Sequence, residues 1–259
     1  MRLLTPSIFI LIVWSFSLSL KGQPYIDTPD GRCRPEVLQK VLDIHFPDQH
    51  IKKIRGRQYI NLYPTIIEHQ FFRSKDPFEG ILYTSDNTIF YSNLMYDIYR
   101  DKLIAYHRAA KAFIELEGEF IRRFKLYENE GDLEFVNVEL KKGRTGIQQG
   151  GFFQVLFESE RLDLLRKHYK TYAEVLTQRK YQVQFKKQER LVMRKGNLYF
   201  TVRNKRDLLK HYPESETELK RYFRRSRVNF RNSSDSQLTG VAQYLDNLVL
   251  EYDRVNTNK

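Results

Sequence analysis

Histidine combines metal binding with acid–base chemistry near neutral pH, so its positions are the first test for catalytic or metal sites. A zinc-protease helix, for example, carries two histidines four residues apart. No two histidines of this chain have that spacing, and His69 follows Glu68 without the second histidine of such a motif. The six are scattered along the chain: His45, His50, His69, His107, His168 and His211. We therefore expect no metal site and no cofactor, and we expect these histidines to be ordinary surface or core residues.

The sequence also lacks the common motifs for a catalytic nucleophile and for phosphate binding. The sequence has no Gly-x-Ser-x-Gly elbow, and its single cysteine, Cys33, has no catalytic signature beside it. Cys33 is thus predicted to be a free thiol, with pairing between two chains as the alternative. The glycine-rich segment 141–146 lacks the Gly-Lys-Ser/Thr ending of a P-loop, which favours a mobile basic loop over a phosphate site. A serine triad assembled only in the fold stays open.

Two clusters allow both a chemical and a structural interpretation. The first cluster has a glutamate at every second position: Glu115, Glu117 and Glu119. On a strand these three side chains would point to one face, where their carboxylates could share a proton or bind calcium. The other is a run of tyrosines that stacks on sugar rings or fills the boundary between core and solvent: Tyr91, Tyr96, Tyr99 and Tyr106. We favour a solvated strand face for the acids and packing for the tyrosines.

The strongest functional signal is the distribution of positive charge. Residues 166–231 hold 20 Lys and Arg against 6 Asp and Glu, whereas the rest of the chain holds 24 against 26. A basic patch of this kind attracts anionic lipid headgroups, acidic glycans or nucleic acid, and a merely solubilising surface is the alternative. Five cations crowd the end of one predicted helix and are the candidate anion-binding residues: Lys220, Arg221, Arg224, Arg225 and Arg227.

The first 22 residues have the three parts of a secretory signal. Arg2 gives a positive start, residues 8–20 are mostly apolar, and Gly22 is small enough to precede a cleavage site. A retained anchor is the alternative, because residues 3–20 approach the spanning minimum of about 17–20. Pro6 and four serines weaken that alternative. We expect an exported, soluble mature protein without a transmembrane segment, and export makes nucleic acid a poor candidate partner.

Hydrophobic periodicity divides the mature chain into a strand-rich part and a helical part. A short helix is predicted at 35–44, and from about 53 to 202 apolar runs of strand length alternate with turn residues. Turns at 85–87, 158–160 and 195–197 follow one another with no helix between, which is typical of an antiparallel meander. Residues 107–116 fit either a helix or a strand.

Beyond residue 203 the period changes to 3.6. Asn204 caps a short helix, Pro213 opens a second, and Ser234 or Asp235 caps a third that has a wide apolar stripe. The prediction is an α+β fold: an antiparallel, mainly β meander with a short N-terminal helix and a C-terminal helical cap. The predicted divisions are the signal peptide 1–22, the mainly β part 23–203, the helices 204–252 in the same domain, and a tail 253–259.

Three stretches resemble proteins of one bacterial lineage. They are GILY at 80–83 with NLMYDIYRD at 93–101, the segment 196–223 with KRDLL at 205–209, and the signal ending at Gly22-Gln23. Together they are similar to a family of exported proteins of Bacteroidetes with no known activity, so no catalytic or binding residue can be carried over. The resemblance implies a periplasmic or surface location in a two-membrane bacterium.

These observations favour a non-enzymatic binding or scaffolding protein of the cell envelope, whose basic C-terminal third faces an anionic surface or partner. An envelope hydrolase with a site dispersed in sequence is the alternative. A deep pocket with convergent His, Asp or Glu would favour the hydrolase, and a basic surface would favour the binding protein.

Overall fold

The computed structural model describes residues 56–61, 68–108, 110–129, 131–139, 150–177 and 180–257. The predicted signal peptide, Cys33, the predicted N-terminal helix and nearly all of the glycine-rich loop lie outside these residues. Within them, the chain forms an antiparallel sheet followed by helices. The mainly β, antiparallel class and the C-terminal helices predicted from periodicity are therefore confirmed.

The described residues contain eleven strands in one sheet. They are β1 (Gly56–Gln58), β2 (Phe78–Thr84), β3 (Ile89–Asp97), β4 (Lys102–His107), β5 (Ala112–Leu116), β6 (Ile121–Leu126), β7 (Leu133–Val138), β8 (Gly151–Glu158), β9 (Leu162–Thr177), β10 (Lys180–Lys195) and β11 (Leu198–Val202). Their order is β1-β5-β4-β3-β2-β6-β7-β8-β9-β10-β11, so most strands pair with a sequence neighbour.

Tight turns join the strands where turn residues were found in the sequence. The β2–β3 turn places Asn87 at a φ of 62°, and the β10–β11 turn places Gly196 at a φ of 56°. Asparagine and glycine both tolerate this left-handed conformation, which a tight hairpin turn requires. The described residues of the ambiguous segment 107–116 are not helical. They include the end of β4 and all of β5, and the ladder between these strands pairs His107 with Ala112.

The sheet curls until β9 meets the end of β3, although four other strands separate these two in the sheet order. The backbone N–H of Lys170 donates to the carbonyl of Ile98 at 3.3 Å and marks this seam. Aromatic rings fill the interior of this curled part of the sheet, which we call the curl. The rings of Phe124 and Phe135, for example, stack with their centroids 4.7 Å apart. Burial of such rings is the main stabilising contribution here.

Three α-helices cover the far end of the sheet. They are α1 (Lys205–His211), α2 (Glu216–Ser226) and α3 (Asp235–Thr257). A 3-10 turn, Pro213–Ser215, precedes α2, because proline fits the start of a helix but not its interior. The helices bury Leu208, Leu219 and Leu245 against β8–β11. Helix α3 continues to Thr257, so its last, exposed turns include part of the segment that was predicted as a tail.

None of the described helices is long and apolar enough to cross a membrane.

Candidate functional site

A basic groove lies between the β11–α1 junction and the loop that joins α2 to α3. Its main compartment is an open depression with a volume of about 590 Å³. Five lining side chains carry positive charge, and none of the lining residues is acidic: the cations are Arg203, Lys205, Arg206, Arg227 and Arg231. We call these five the groove cations.

A capping box fixes the first wall of the groove. The Oδ1 atom of Asn204 accepts from the backbone N–H of Arg206 at 2.8 Å. In return Oδ2 of Asp207 accepts from the backbone N–H groups of Arg203 and Asn204, at 2.7 and 3.3 Å. These bonds satisfy backbone donors at the start of α1. They also hold Arg203 and Arg206 on a rigid backbone, although both side chains are exposed.

Local hydrogen bonds and two apolar anchors fix the second wall. Arg227 ends α2 in the left-handed conformation, with a φ of 52°. The next turn closes when Oδ1 of Asn229 accepts from the backbone N–H of Arg231 at 3.1 Å. Val228 and Phe230 are buried in the core beneath the helices. Burial of Val228 and Phe230 therefore anchors the loop to the core, while the side chains of Arg227 and Arg231 are exposed to solvent.

The groove cations lack acidic partners, unlike several other cations of the basic region. Arg194 pairs with Asp163, and Lys195 Nζ lies 2.7 Å from Glu214 Oε1. Among the residues that the structure describes, none forms an ion pair with a groove cation. Lys205 instead places Nζ 5.4 Å from the centre of the Phe223 ring. Unpartnered like charges held close together repel one another, and a bound anion relieves that repulsion.

A second compartment of about 430 Å³ adjoins the first. The two share Arg203, Phe230 and Arg231 as a common wall. The second compartment adds Arg190, whose guanidinium lies 5.6 Å from the centre of the Tyr169 ring. The two compartments are therefore adjacent on the surface.

One acidic side chain, Glu189, lines the second compartment. It lies 2.7 Å from Lys187 Nζ and 3.5 Å from Arg166 Nε. Arg166 also pairs with Asp235, at 2.7 Å. The pKa of Glu189 is lowered, first by the hydrogen bond with His168 and then by that with Lys187. The Glu189 carboxylate is therefore already balanced by neighbouring cations.

The five cations proposed from the sequence do not form one cluster. Arg227 lines the groove, whereas Lys220 is paired with Glu216 one helical turn away. The other three lie on the exposed outer face of α2 and do not line either compartment: Arg221, Arg224 and Arg225. They also lack ion pairs among the described residues, so their anion binding stays a prediction.

Sequence reasoning missed four groove cations because they come from separate segments. Arg203, Lys205 and Arg206 surround the capping residue of α1, and Arg231 follows α2. Only tertiary packing brings these segments together. The one signal available was the charge count for residues 166–231, which contains all of them.

The two other sequence clusters do not become sites. Glu115 is buried and bonded to Arg57 and Arg100, at 3.0 and 2.7 Å, whereas Glu117 and Glu119 are exposed around a 3-10 turn that ends the strand. The alternation therefore breaks. Tyr96 is fully buried and the other three tyrosines are partly exposed, so they form no common platform. Within the described residues, no three His, Cys, Asp or Glu side chains converge as a metal site.

Asp97 is the most strongly enclosed carboxyl group of the curl. Its Oδ1 accepts from the backbone N–H groups of Tyr99 and Arg100, at 3.0 and 2.9 Å. Its Oδ2 is buried without a hydrogen-bond partner among the described residues. Burial raises the pKa of Asp97 to about 6. Asp97 lines neither compartment of the groove.

Comparison of the chain with models of known protein families, with characterised proteins and with solved structures finds no match.

Proposed function

We propose that this chain is an exported cell-envelope protein that binds an anionic partner through the basic groove. The binding is non-enzymatic: the groove holds a polyanion by charge and hydrogen bonds and performs no bond-breaking step. The periplasmic or surface location belongs to the same proposal and is supported by the three-part N-terminal segment of the sequence.

One observation carries the proposal: five cations line the first compartment of the groove, which has no acidic lining residue. Solubility alone does not call for five cations without acidic partners around one depression, because dispersing them lowers their mutual repulsion. Arginine supplies four of the five, and its planar guanidinium can donate two parallel hydrogen bonds to a carboxylate, sulfate or phosphate.

The hydrolase alternative lacks a comparable observation. Its best candidate carboxyl groups, Asp97 and Glu115, are enclosed in the curl. Glu115 is already neutralised by two arginines. Neither carboxyl group lines either compartment of the groove.

The test compares two triple variants that remove the same net charge. The groove variant is Arg203→Gln, Arg206→Gln, Arg231→Gln, and the helix variant is Arg221→Gln, Arg224→Gln, Arg225→Gln. Each protein is eluted from an immobilised heparin column with a sodium chloride gradient. The groove variant should elute at clearly lower salt than the wild type, and the helix variant close to the wild type.

All six side chains are exposed, so both variants should melt within a few degrees of the wild type. Equal shifts of both variants would mean that only net charge matters, and loss of retention in the helix variant alone would place the site on α2. Either result would contradict the groove as the binding site.

A further inference from the structure

We infer that the ligand of the groove is a linear acidic polysaccharide, bound as a segment long enough to occupy both compartments. This inference rests on the proposed function and adds the ligand class.

The two-compartment shape requires a ligand with several separated charges. Arg206 and Arg227 line only the first compartment, and Arg190 lines only the second. The wall between them contains Arg203 and Arg231, which reach both. A small ion can meet only one of these sets at a time. A chain with an anionic group on each repeat can meet both, and linking the two contacts makes the second one effectively intramolecular.

The shape of the groove favours a single polysaccharide chain over a membrane surface as its ligand. Lipid headgroups form a layer that contacts cations on an exposed helix face, such as Arg221, Arg224 and Arg225 on α2. The groove cations instead line a depression in the surface. A flexible single chain can follow the lining residues from one compartment to the next, whereas a bilayer presents its headgroups in one plane.

The residues that line the groove also favour a glycan over nucleic acid or a peptide as the ligand. Single-stranded nucleic acid is held largely by bases stacked on exposed aromatic rings, and peptides by side chains in apolar pockets. The only aromatic lining residue, Phe230, is just 9% exposed, and Val228 is 3% exposed. What the lining offers is charge, together with amide and hydroxyl groups from Asn204, Asn229 and Ser233. This combination matches a hydrated chain with acidic groups and many hydroxyls.

The decisive experiment measures affinity against ligand length. Size-defined heparin disaccharide, tetrasaccharide and octasaccharide are titrated into the wild-type protein at low salt, and each affinity is corrected for the number of overlapping binding registers. The octasaccharide should bind at least tenfold more tightly than the disaccharide. An octamer of galacturonate in a parallel arm distinguishes carboxylate from sulfate as the recognised group.

Two single variants then test the occupancy of each compartment. Arg206→Gln should weaken binding of oligosaccharides of every length, because all five groove cations line the first compartment. Arg190→Gln should weaken octasaccharide binding several-fold and leave disaccharide binding unchanged. The same proteins are mixed with phosphatidylglycerol-containing vesicles in a flotation assay, in which the groove variant defined above should behave as the wild type.

The outcomes separate the two proposals. If corrected affinity does not rise with length, or if Arg190→Gln affects all lengths equally, the polysaccharide inference is wrong while the anion-binding function holds. If vesicles compete with the octasaccharide and the groove variant no longer floats, the ligand is lipid and the inference is also wrong. If no oligosaccharide binds and the heparin column retains neither wild type nor variants, the proposed function itself fails.

Discussion

Lys167 Nζ lies 2.7 Å from Asp101 Oδ2 and 3.1 Å from the carbonyl oxygen of Phe152, so one cation ties β9 to the β3–β4 turn and to β8. The Tyr96 hydroxyl donates to the other carboxylate oxygen of Asp101 at 2.5 Å. Gly151, at a φ of +114°, leaves room for this pair, since a Cβ there would collide with the carboxylate. The pair thus stabilises the closure of the curled sheet. Burial lowers the pKa of Lys167, and the neighbouring Asp101 opposes that shift.

Replacement of Lys167 by Met should destabilise the protein by about 2–4 kcal/mol, because it leaves a partly buried carboxylate without its cation. The matched control is Lys187→Met, which removes a cation that is 52% exposed in its ion pair, against 15% for Lys167. That control should cost less than about 1 kcal/mol. Urea denaturation of the three proteins measures both free energies. Equal losses in the two variants would mean that the seam does not depend on this pair.

Asp97 should make stability fall as the pH rises. Burial raises its pKa from 3.8 to about 6 in the folded protein, so the folded state holds the proton more tightly than the unfolded chain does. Between about pH 4 and pH 6 the folded state therefore binds more protons, and the free energy of unfolding declines as the pH rises. The loss is complete above the folded pKa and amounts to at most about 3 kcal/mol.

The variant Asp97→Asn removes this contribution while its Oδ1 can still accept from the backbone. Unfolding free energies are measured for both proteins from pH 4 to pH 8. The difference between wild type and variant should shift in favour of the variant across pH 4–6 and then stay constant. Glu115 is present in both proteins, and hydrogen bonds from Arg100 and Arg57 lower its pKa against the effect of burial. Parallel pH curves would contradict an ionisable, proton-binding Asp97.

Helix α3 should depend on Leu245, which is fully buried against the sheet. Leu245→Asp loses that burial and places an unpaired carboxylate in the core, at a cost of about 4 kcal/mol or more. Tyr252→Asp in the same helix is the control, because Tyr252 is 51% exposed and its replacement should change stability by no more than about 0.5 kcal/mol. Thermal melting followed by circular dichroism compares them. An unchanged melting temperature for Leu245→Asp would show that α3 does not need to dock.

Local patterns in the sequence were sufficient for most elements but not for their three-dimensional arrangement. The capping residue Asn204 and the turn at Gly196 act within a few positions, so α1 and the β10–β11 hairpin could be predicted in place. The seam between Ile98 and Lys170 joins strands far apart in the sequence, and no local pattern encodes it. The position of β6 beside β2, rather than β5, is non-local in the same way.

The candidate site illustrates the same limit. A predicted helix with several cations is visible in the sequence, and it supplies all five candidates of the sequence analysis: Lys220, Arg221, Arg224, Arg225 and Arg227. The groove also needs Arg203 and the residues near it from the β11–α1 junction, which packing of Val228 and Phe230 into the core brings opposite the loop. Charge counting could identify the region but could not tell a concave surface from a convex one.

The proposed export predicts that the N-terminal segment is cleaved from the chain. Cleavage after Gly22 should leave Gln23 at the N-terminus, because Gly22 is a small residue at the end of the apolar segment. Intact-mass and N-terminal mass spectrometry of protein recovered from a two-membrane bacterial host check this directly. Recovery of the chain with residues 3–20 still attached, in the membrane fraction, would contradict processing and favour the retained anchor.

The most direct test of the central claim, anion binding in the groove, is an arginine footprint. The wild-type protein is treated with phenylglyoxal at low salt with and without heparin octasaccharide, and modification of each arginine is quantified by peptide mass spectrometry. Arg203, Arg206, Arg227 and Arg231 should be protected by the oligosaccharide, each several-fold. Arg221, Arg224 and Arg225 should react as in the free protein. Protection of the second set alone, or of neither set, would contradict binding in the groove.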